Sequence, residues 1–292
     1  MVESLVGKGR EAIDWLVDQD SFQENKIGSK LLDAGYGPGA VVGTALLNGK
    51  EVTVLANDAQ AVNERFPVVY FGVIGLEEAY KMAQVVYLTL QEDAEKPADQ
   101  KRPLLLIVDT PGNGPGKIEE IVGMNKATGA YQLALAEARQ AGHPIIAIVI
   151  GRAISGAFLC HGLQADHILA LKKEYGTMIH VMPITSISRI TKLDIETLKK
   201  LSESNPVFAS GAEFFYQLGG VNTIVESVES MREAVLKDLD EVRKQKASGD
   251  ITMTGPLGRG TLGETRGGRT ARNQVLTRMK QEYAAIQDEI LE

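Results

Sequence analysis

Two continuous apolar runs, Pro103 to Val108 and Ile145 to Ile150, constrain this chain more than anything else in it. Each reads as a strand buried on both faces of a sheet. A helical pattern over roughly 118–141 separates them, and another, from Gly75 to Glu95, precedes the first. Strand, helix and buried strand in that order predict βαβ crossovers and a largely parallel sheet. Each run also leads into a loop of small residues, which gives the pair chemical interest as well.

The flanking segments fill in the organisation. Leu5, Ala12, Ile13, Leu16 and Val17 recur at helical spacing, so the N-terminus predicts a short amphipathic helix. Asp33 to Gly39 reads as a loop, which makes 1–39 a helix-and-loop preface. Ala40 to Leu47 and Glu51 to Ala56 are β-rich and join through Asn48-Gly49, a pair suited to a type I′ hairpin because both positions need positive φ. Past the second run, Ser155 to Gly162 begins a helix, Ile168 to Leu171 is a short strand, and Asp194 to Ser204 is helical. Val221 to Val225 closes the sheet and Ser227 to Lys246 is a final core helix, so the main domain spans 40–246. From Ala247 the chain turns rich in Gly and Arg. Residues 247–292 predict an irregular arm followed by a helix from about Arg269 to Leu291. Between Arg243 and Lys280 stand nine Lys or Arg against two Asp or Glu, a composition that suits an arm wrapping another subunit.

Composition narrows the class. A hydrophobic content of 44% over 292 residues supports a sizeable core. The net charge of -7 argues against nucleic-acid binding as the main task. The single cysteine, Cys160, excludes an internal disulfide and reads as a buried small hydrophobe. His143, His161 and His167 are too scattered to suggest a metal site. The first twenty residues lack an apolar secretion core, and no apolar run is long enough to span a bilayer. The expectation is a cytoplasmic protein.

The two loops carry the chemistry. The first, Asp109-Thr110-Pro111-Gly112-Asn113-Gly114-Pro115-Gly116, lets backbone approach a ligand at a strand's carboxyl end, where α/β sites sit. In the second, Arg152-Ala153-Ile154-Ser155-Gly156-Ala157, small residues enter a helix and leave the first N–H groups free to face a polarised carbonyl, as in an oxyanion hole. Ser155 reads equally as a helix N-cap or a site residue. The alternation Met178, His180, Met182 puts His180 on one face of a strand, where it is either structural or a proton carrier. Asp109 suits loop bracing through backbone amides. Arg152 suits a carboxylate, a phosphate or a partner-subunit ion pair.

Taken together the motifs resemble a known family. Asp109 to Gly116 is similar to the D-x-P-G-x-x-P-G loop in the C-terminal half of biotin-dependent acyl-CoA carboxyltransferases. Arg152 to Ala157 resembles that half's R-K-x-x-G-G-A signature, with Ala153 in place of Lys and Ser155 in place of the first Gly. The likeness covers about residues 40–225. Gly151 to Gly162 is more similar still to the gamma subunits of malonate decarboxylases. That resemblance implies a crotonase-like α/β fold and a decarboxylase or carboxyltransferase acting on malonyl-S-acyl carrier protein through a thioester enolate. It implies a beta-type partner subunit, an acyl carrier protein with a CoA-like prosthetic arm, biotin on a partner where the system uses it, and no metal. Gly156, Ala157, Ser155 and His180 would then be catalytic, and Asp109, Pro111, Gly112, Gly114, Gly116 and Arg152 would bind substrate. A competing resemblance links Ser155 to Leu159 and Met178 to His180 with Clp-type serine peptidases, in which serine and histidine form a nucleophile–base pair. The aspartate of such a triad has no counterpart here.

Overall fold

The computed structural model describes residues 4–203, 210–249 and 254–290. Helix α1 (Gly9–Leu16) buries Ala12, Ile13 and Leu16 along one side, as their spacing requires. Short strands β1 (Gln23–Glu24), β2 (Lys26–Ile27) and β3 (Lys30–Leu31) lead to β4 (Ala40–Leu47) and β5 (Lys50–Asn57). The last two pair antiparallel from Ala40↔Asn57 to Leu47↔Lys50. Their turn places Asn48 at φ 53° and Gly49 at φ 74°, the left-handed pair that Asn-Gly predicts. Helix α2 (Leu76–Glu92) crosses to β6 (Leu104–Thr110). The helix expected over 118–141 is broken into α3 (Lys117–Val122) and α4 (Met124–Gln140). Gly123 lies between them at φ 113°, a left-handed geometry that ends one helix and starts the next.

The chain continues through β7 (Ile145–Ile154), α5 (Ser155–Cys160), β8 (His167–Leu171) and β9 (Met178–His180). Helices α6 (Ile184–Thr191), α7 (Ile195–Ser202) and α8 (Ala212–Gln217) follow, then β10 (Thr223–Val225) and α9 (Met231–Ala247). Residue 204, the expected end of the 194–204 helix, lies outside the described residues.

The main sheet runs β1-β4-β5-β6-β7-β8-β10, and β9 pairs separately with β7. Every step from β5 to β10 is parallel. Along the two central strands, successive side chains serve different cores, which is why both runs are apolar throughout. Leu104, Leu106, Val108, Ile145, Ala147 and Val149 pack with α2 and α4. Leu105, Ile107, Ile146, Ile148 and Ile150 pack with α1 and α9. Each Val, Leu or Ile among them, fully buried, contributes roughly 1.5–3 kcal/mol. Strand β7 outruns β8. Its residues 146–149 pair with β8, whereas 152–154 pair with β9, so the sheet forks where the second small-residue loop begins.

The segment after Ala247 departs from expectation. In place of an irregular arm, α10 (Gly255–Thr265) precedes the terminal helix α11 (Arg272–Ile290). Its glycines serve contact rather than flexibility: a methyl group on Gly263 would stand 2.2 Å from the Leu218 carbonyl oxygen. Its arginines also turn inward. Arg259 is buried and donates to the carbonyls of Leu163, Ala165 and Asp166. Arg266 donates to the carbonyls of Tyr216, Val221 and Asn222 and lies 3.5 Å over the Tyr216 ring. The segment 254–269 is therefore fastened to the domain, while α11 presents exposed Val275, Met279, Tyr283 and Ile286. No described helix is long and apolar enough to cross a membrane.

Candidate active site

Strands β6 and β7 are neighbours with parallel register, so their two carboxyl-end loops emerge side by side. An ion pair joins them. The Asp109 carboxylate accepts from Arg152 Nε at 2.8 Å and Nη2 at 2.9 Å, and also from the Arg152 backbone N–H at 2.8 Å. It further accepts from the Gly7 N–H at 2.7 Å, which draws the N-terminal segment over the loops. Asp109 is 2% exposed. The charged atoms of the two residues satisfy each other, and the pair braces the two loops together. Arg152 Nη1 alone of the guanidinium nitrogens makes no hydrogen bond with a described residue.

The first loop is pinned from the other side by a short bridge. Ile74 N–H donates to the Gly112 carbonyl at 3.0 Å, and Gly114 N–H donates to the Ile74 carbonyl at 2.9 Å. Thr110 Oγ1 donates to the Gly112 carbonyl at 3.2 Å just after Pro111. Gly114 and Gly116 lie against Glu119, whose carboxylate accepts from the Leu76 N–H at 3.1 Å. Burial raises the Glu119 pKa above the usual range, and its Oε2 has no partner. Pro111, Gly112, Gly114 and Gly116 thus form a rigid backbone wall beside the second loop.

In the second loop the chain turns sharply from β7 into α5. Ser155 takes φ 57°, a left-handed conformation that costs a residue with a Cβ roughly 1–2 kcal/mol. The N-cap position belongs to Ile154, which makes no side-chain cap bond. The N-cap reading of Ser155 is therefore corrected: the serine is the first helical residue, exposed, with no hydrogen bond from its hydroxyl to any described residue. The N–H groups of Gly156 and Ala157 lie in the first turn of α5, where no intrahelical acceptor exists, and they too have no partner among the described residues. His161 anchors the far end of this helix. Its Nε2–H donates to the Ile107 carbonyl at 3.0 Å, and its Nδ1 accepts from the buried Tyr131 hydroxyl at 3.0 Å. Burial lowers its pKa to about 4, so the ring is neutral.

Strand β9 brings His180 alongside, in register with Ile154. Ile179 points into the core, leaving Met178 and His180 on the opposite face. Burial also lowers the His180 pKa, an effect the nearby Met182 backbone partly opposes. Its Nδ1 is buried without a partner. No hydrogen bond joins Ser155 to His180 among the described residues, so a nucleophile–base pair is not assembled. Sequence reasoning missed Asn113, whose Oδ1 would stand 2.3 Å from a methyl group on Gly156. Nothing local marks that contact, since 43 positions separate the two residues.

A forked parallel sheet, with two small-residue loops meeting at the ends of adjacent strands and unpaired amides between them, has the form of one half of a crotonase-type acyl-thioester carboxyltransferase. The family model described as malonate decarboxylase gamma subunit matches residues 71–283, and the chain belongs to that family. It is 62% identical over 291 residues to the malonyl-S-ACP:biotin-protein carboxyltransferase of Malonomonas rubra, covering 99% of this chain and 100% of that one. A chain in the crystal structure of a Pseudomonas malonate decarboxylase hetero-tetramer with coenzyme A is 32% identical, with TM-score 0.70, covering 93% of this chain and 99% of that one. The transcarboxylase 12S core, 22% identical with TM-score 0.62 over 81% of this chain and 41% of that one, shares the fold. The protein is thus an enzyme subunit of the malonate decarboxylase and carboxyltransferase kind.

Proposed function

We propose that this chain pairs with a beta-type subunit to remove the carboxyl group of a malonyl thioester carried on the CoA-like arm of an acyl carrier protein, and that a biotin-bearing protein receives it. The observation that carries this reading is the pair of unpaired amides at Gly156 and Ala157, beside the loop from Pro111 to Gly116 whose Asn113 lies against Gly156. Breaking the C–C bond of the malonyl group sends its electron pair into an enolate, with charge on the former carbonyl oxygen. Fixed N–H donors stabilise that charge without the reorganisation water would need. The carbon then gains a proton, and a neutral group with a free nitrogen suits its passage. His180 Nδ1 is such a nitrogen. Asp109 and Arg152 keep the two loops in register while this happens.

The choice of donor and acceptor rests on the Malonomonas relative, named for malonyl-S-ACP and biotin protein. The beta-type partner rests on the Pseudomonas assembly, described as an MdcD-MdcE hetero-dimer. To test the reading, the chain and its beta partner are assayed alone and together with malonyl-S-acyl carrier protein. Turnover only in the mixture, inhibited by avidin when the biotin protein is supplied, is expected. Robust turnover by the isolated chain, or an acyl group trapped on Ser155 by mass spectrometry, overturns it.

A further inference from the structure

Asn113 carries side-chain chemistry from the first loop to the second. Its backbone is held by the bridge to Ile74, with Gly112 and Gly114 bonded on either side. The carboxamide then lies across the start of α5. A methyl group on Gly156 would stand 2.3 Å from Asn113 Oδ1 and 3.4 Å from its Cγ, so the lack of a side chain at Gly156 is what admits the carboxamide. The carboxamide also lies near enough to Cys160 to oppose, slightly, the effect of burial on the thiol. The Cys160 thiol is held protonated by burial, its pKa pushed up to about 12. Its proton is directed to the Ala157 carbonyl at 3.2 Å, which leaves the sulfur as an acceptor. A carboxamide lowers a thiol's pKa by donating to it, so the Asn113 NH2 is directed toward Cys160 while Oδ1 lies over Gly156, with no hydrogen bond to a described residue.

An unpaired acceptor at the mouth of a site selects a donor. The malonyl group has no N–H to offer. The groups that accompany it in the proposed reaction do: the secondary amides of a pantetheine-type arm, and the ureido ring of biotin. We propose that Asn113 is a specificity-determining residue that accepts, at Oδ1, a hydrogen bond from a planar amide-type N–H of the group entering this site. The inference rests on the function proposed above and adds a side-chain contact to it.

The test uses the assembled complex with its beta partner and two probes, biocytin and pantetheine, each titrated calorimetrically. Asn113→Ala is expected to weaken one probe about tenfold, the upper range for one net hydrogen bond, and leave the other within about twofold. Loss for biocytin assigns the acceptor to the ureido ring; loss for pantetheine assigns it to the arm. Asn113→Asp keeps an acceptor oxygen and is expected to retain most of the affinity. Gly156→Ala displaces the carboxamide, so it weakens the same probe in the wild type but adds little in the Asn113→Ala background. Unchanged affinity for both probes in Asn113→Ala overturns the proposal, as does equal weakening of both with a lowered Tm, which marks a structural residue. A wild-type complex that binds neither probe overturns the proposed function and this contact together, whereas intact turnover with unchanged affinities overturns the contact alone.

Discussion

Replacing Asp109 by asparagine would keep the shape of the brace between the loops and remove its charge. Four N–H groups converge on this carboxylate: those of Gly7 and Arg152, plus Nε and Nη2 of the Arg152 side chain. A carboxamide has one oxygen for them, and its NH2 must face at least one donor. Breaking a buried ion pair from one side typically costs 3–5 kcal/mol. The Arg152 side chain is 15% exposed and recovers some hydration, so the lower end, about 3 kcal/mol, applies here. With a slope near 3 kcal/mol/M, the urea midpoint of the isolated chain falls by about 1 M. The second variant isolates the cause. Arg152→Met in the Asp109→Asn background removes the stranded charge and recovers at least about 1 kcal/mol. A midpoint shift below about 0.2 M, or strictly additive effects in the double variant, refutes the argument that this pair braces the site.

Further outcomes concern acid stability, the second loop and the C-terminal segment. The folded chain keeps His161 neutral down to about pH 4, while the unfolded chain takes up that proton near the ordinary value of 6.5, so stability is full above about 6.5 and falls as pH drops toward 4. The loss approaches roughly 3 kcal/mol for this residue, and an acid melt that is flat across the window contradicts it. In the assembled complex, Gly156→Val is expected to cut turnover about a hundredfold without dissociating subunits. Ser155→Ala and His180→Ala are expected to reduce turnover more modestly, and abolition by Ser155→Ala would instead indicate a nucleophile. Removing α11 alone is expected to leave the domain folded and weaken pairing with the beta subunit, since its row of Val275, Met279, Tyr283 and Ile286 has no cover. Truncation at Ala247 also removes Arg259 and its buried contacts, and by circular dichroism it is expected to unfold the domain.

What the sequence disclosed depended on how local the cause was. Asn48-Gly49 specifies its turn from two residues, and the alternating cores of β6 and β7 follow from uninterrupted apolar runs. The break at Gly123 was less legible, because a glycine within a helical pattern is tolerated as often as it interrupts. The segment 255–265 misled more completely. Its glycines have poor helix propensity, and only tertiary contacts, with Leu218 lying against Gly263 and Arg272 against Gly260, account for them in α10. At the site, the backbone loops were visible as motifs, but their side-chain traffic was not. Arg152 meets Asp109, and Asn113 crosses to Gly156, through contacts that arise only once β6 and β7 lie side by side. Ser155 illustrates the same limit in the backbone: a serine at a helix start suggests a cap, whereas here it takes a left-handed φ of 57° directly after the residue that pairs with β9.

The hydrogen bond from Gly7 to Asp109 also has a bearing on biosynthesis. It spans 102 residues, and closing a loop of that length carries an entropic penalty of about 4 kcal/mol beyond its fixed part. The same N-terminal region is tied to still later parts of the chain. Ser4 donates to the Tyr175 carbonyl, 171 residues on, and Arg232 donates to the Val17 carbonyl across 215. While the chain is being made, the apolar side of α1 must therefore wait for β4, β5 and β6 to emerge, and its last contacts form only when α9 packs beside it. Completion of the N-terminal packing is thus a late step in making this chain, reached only after α9 has been synthesised.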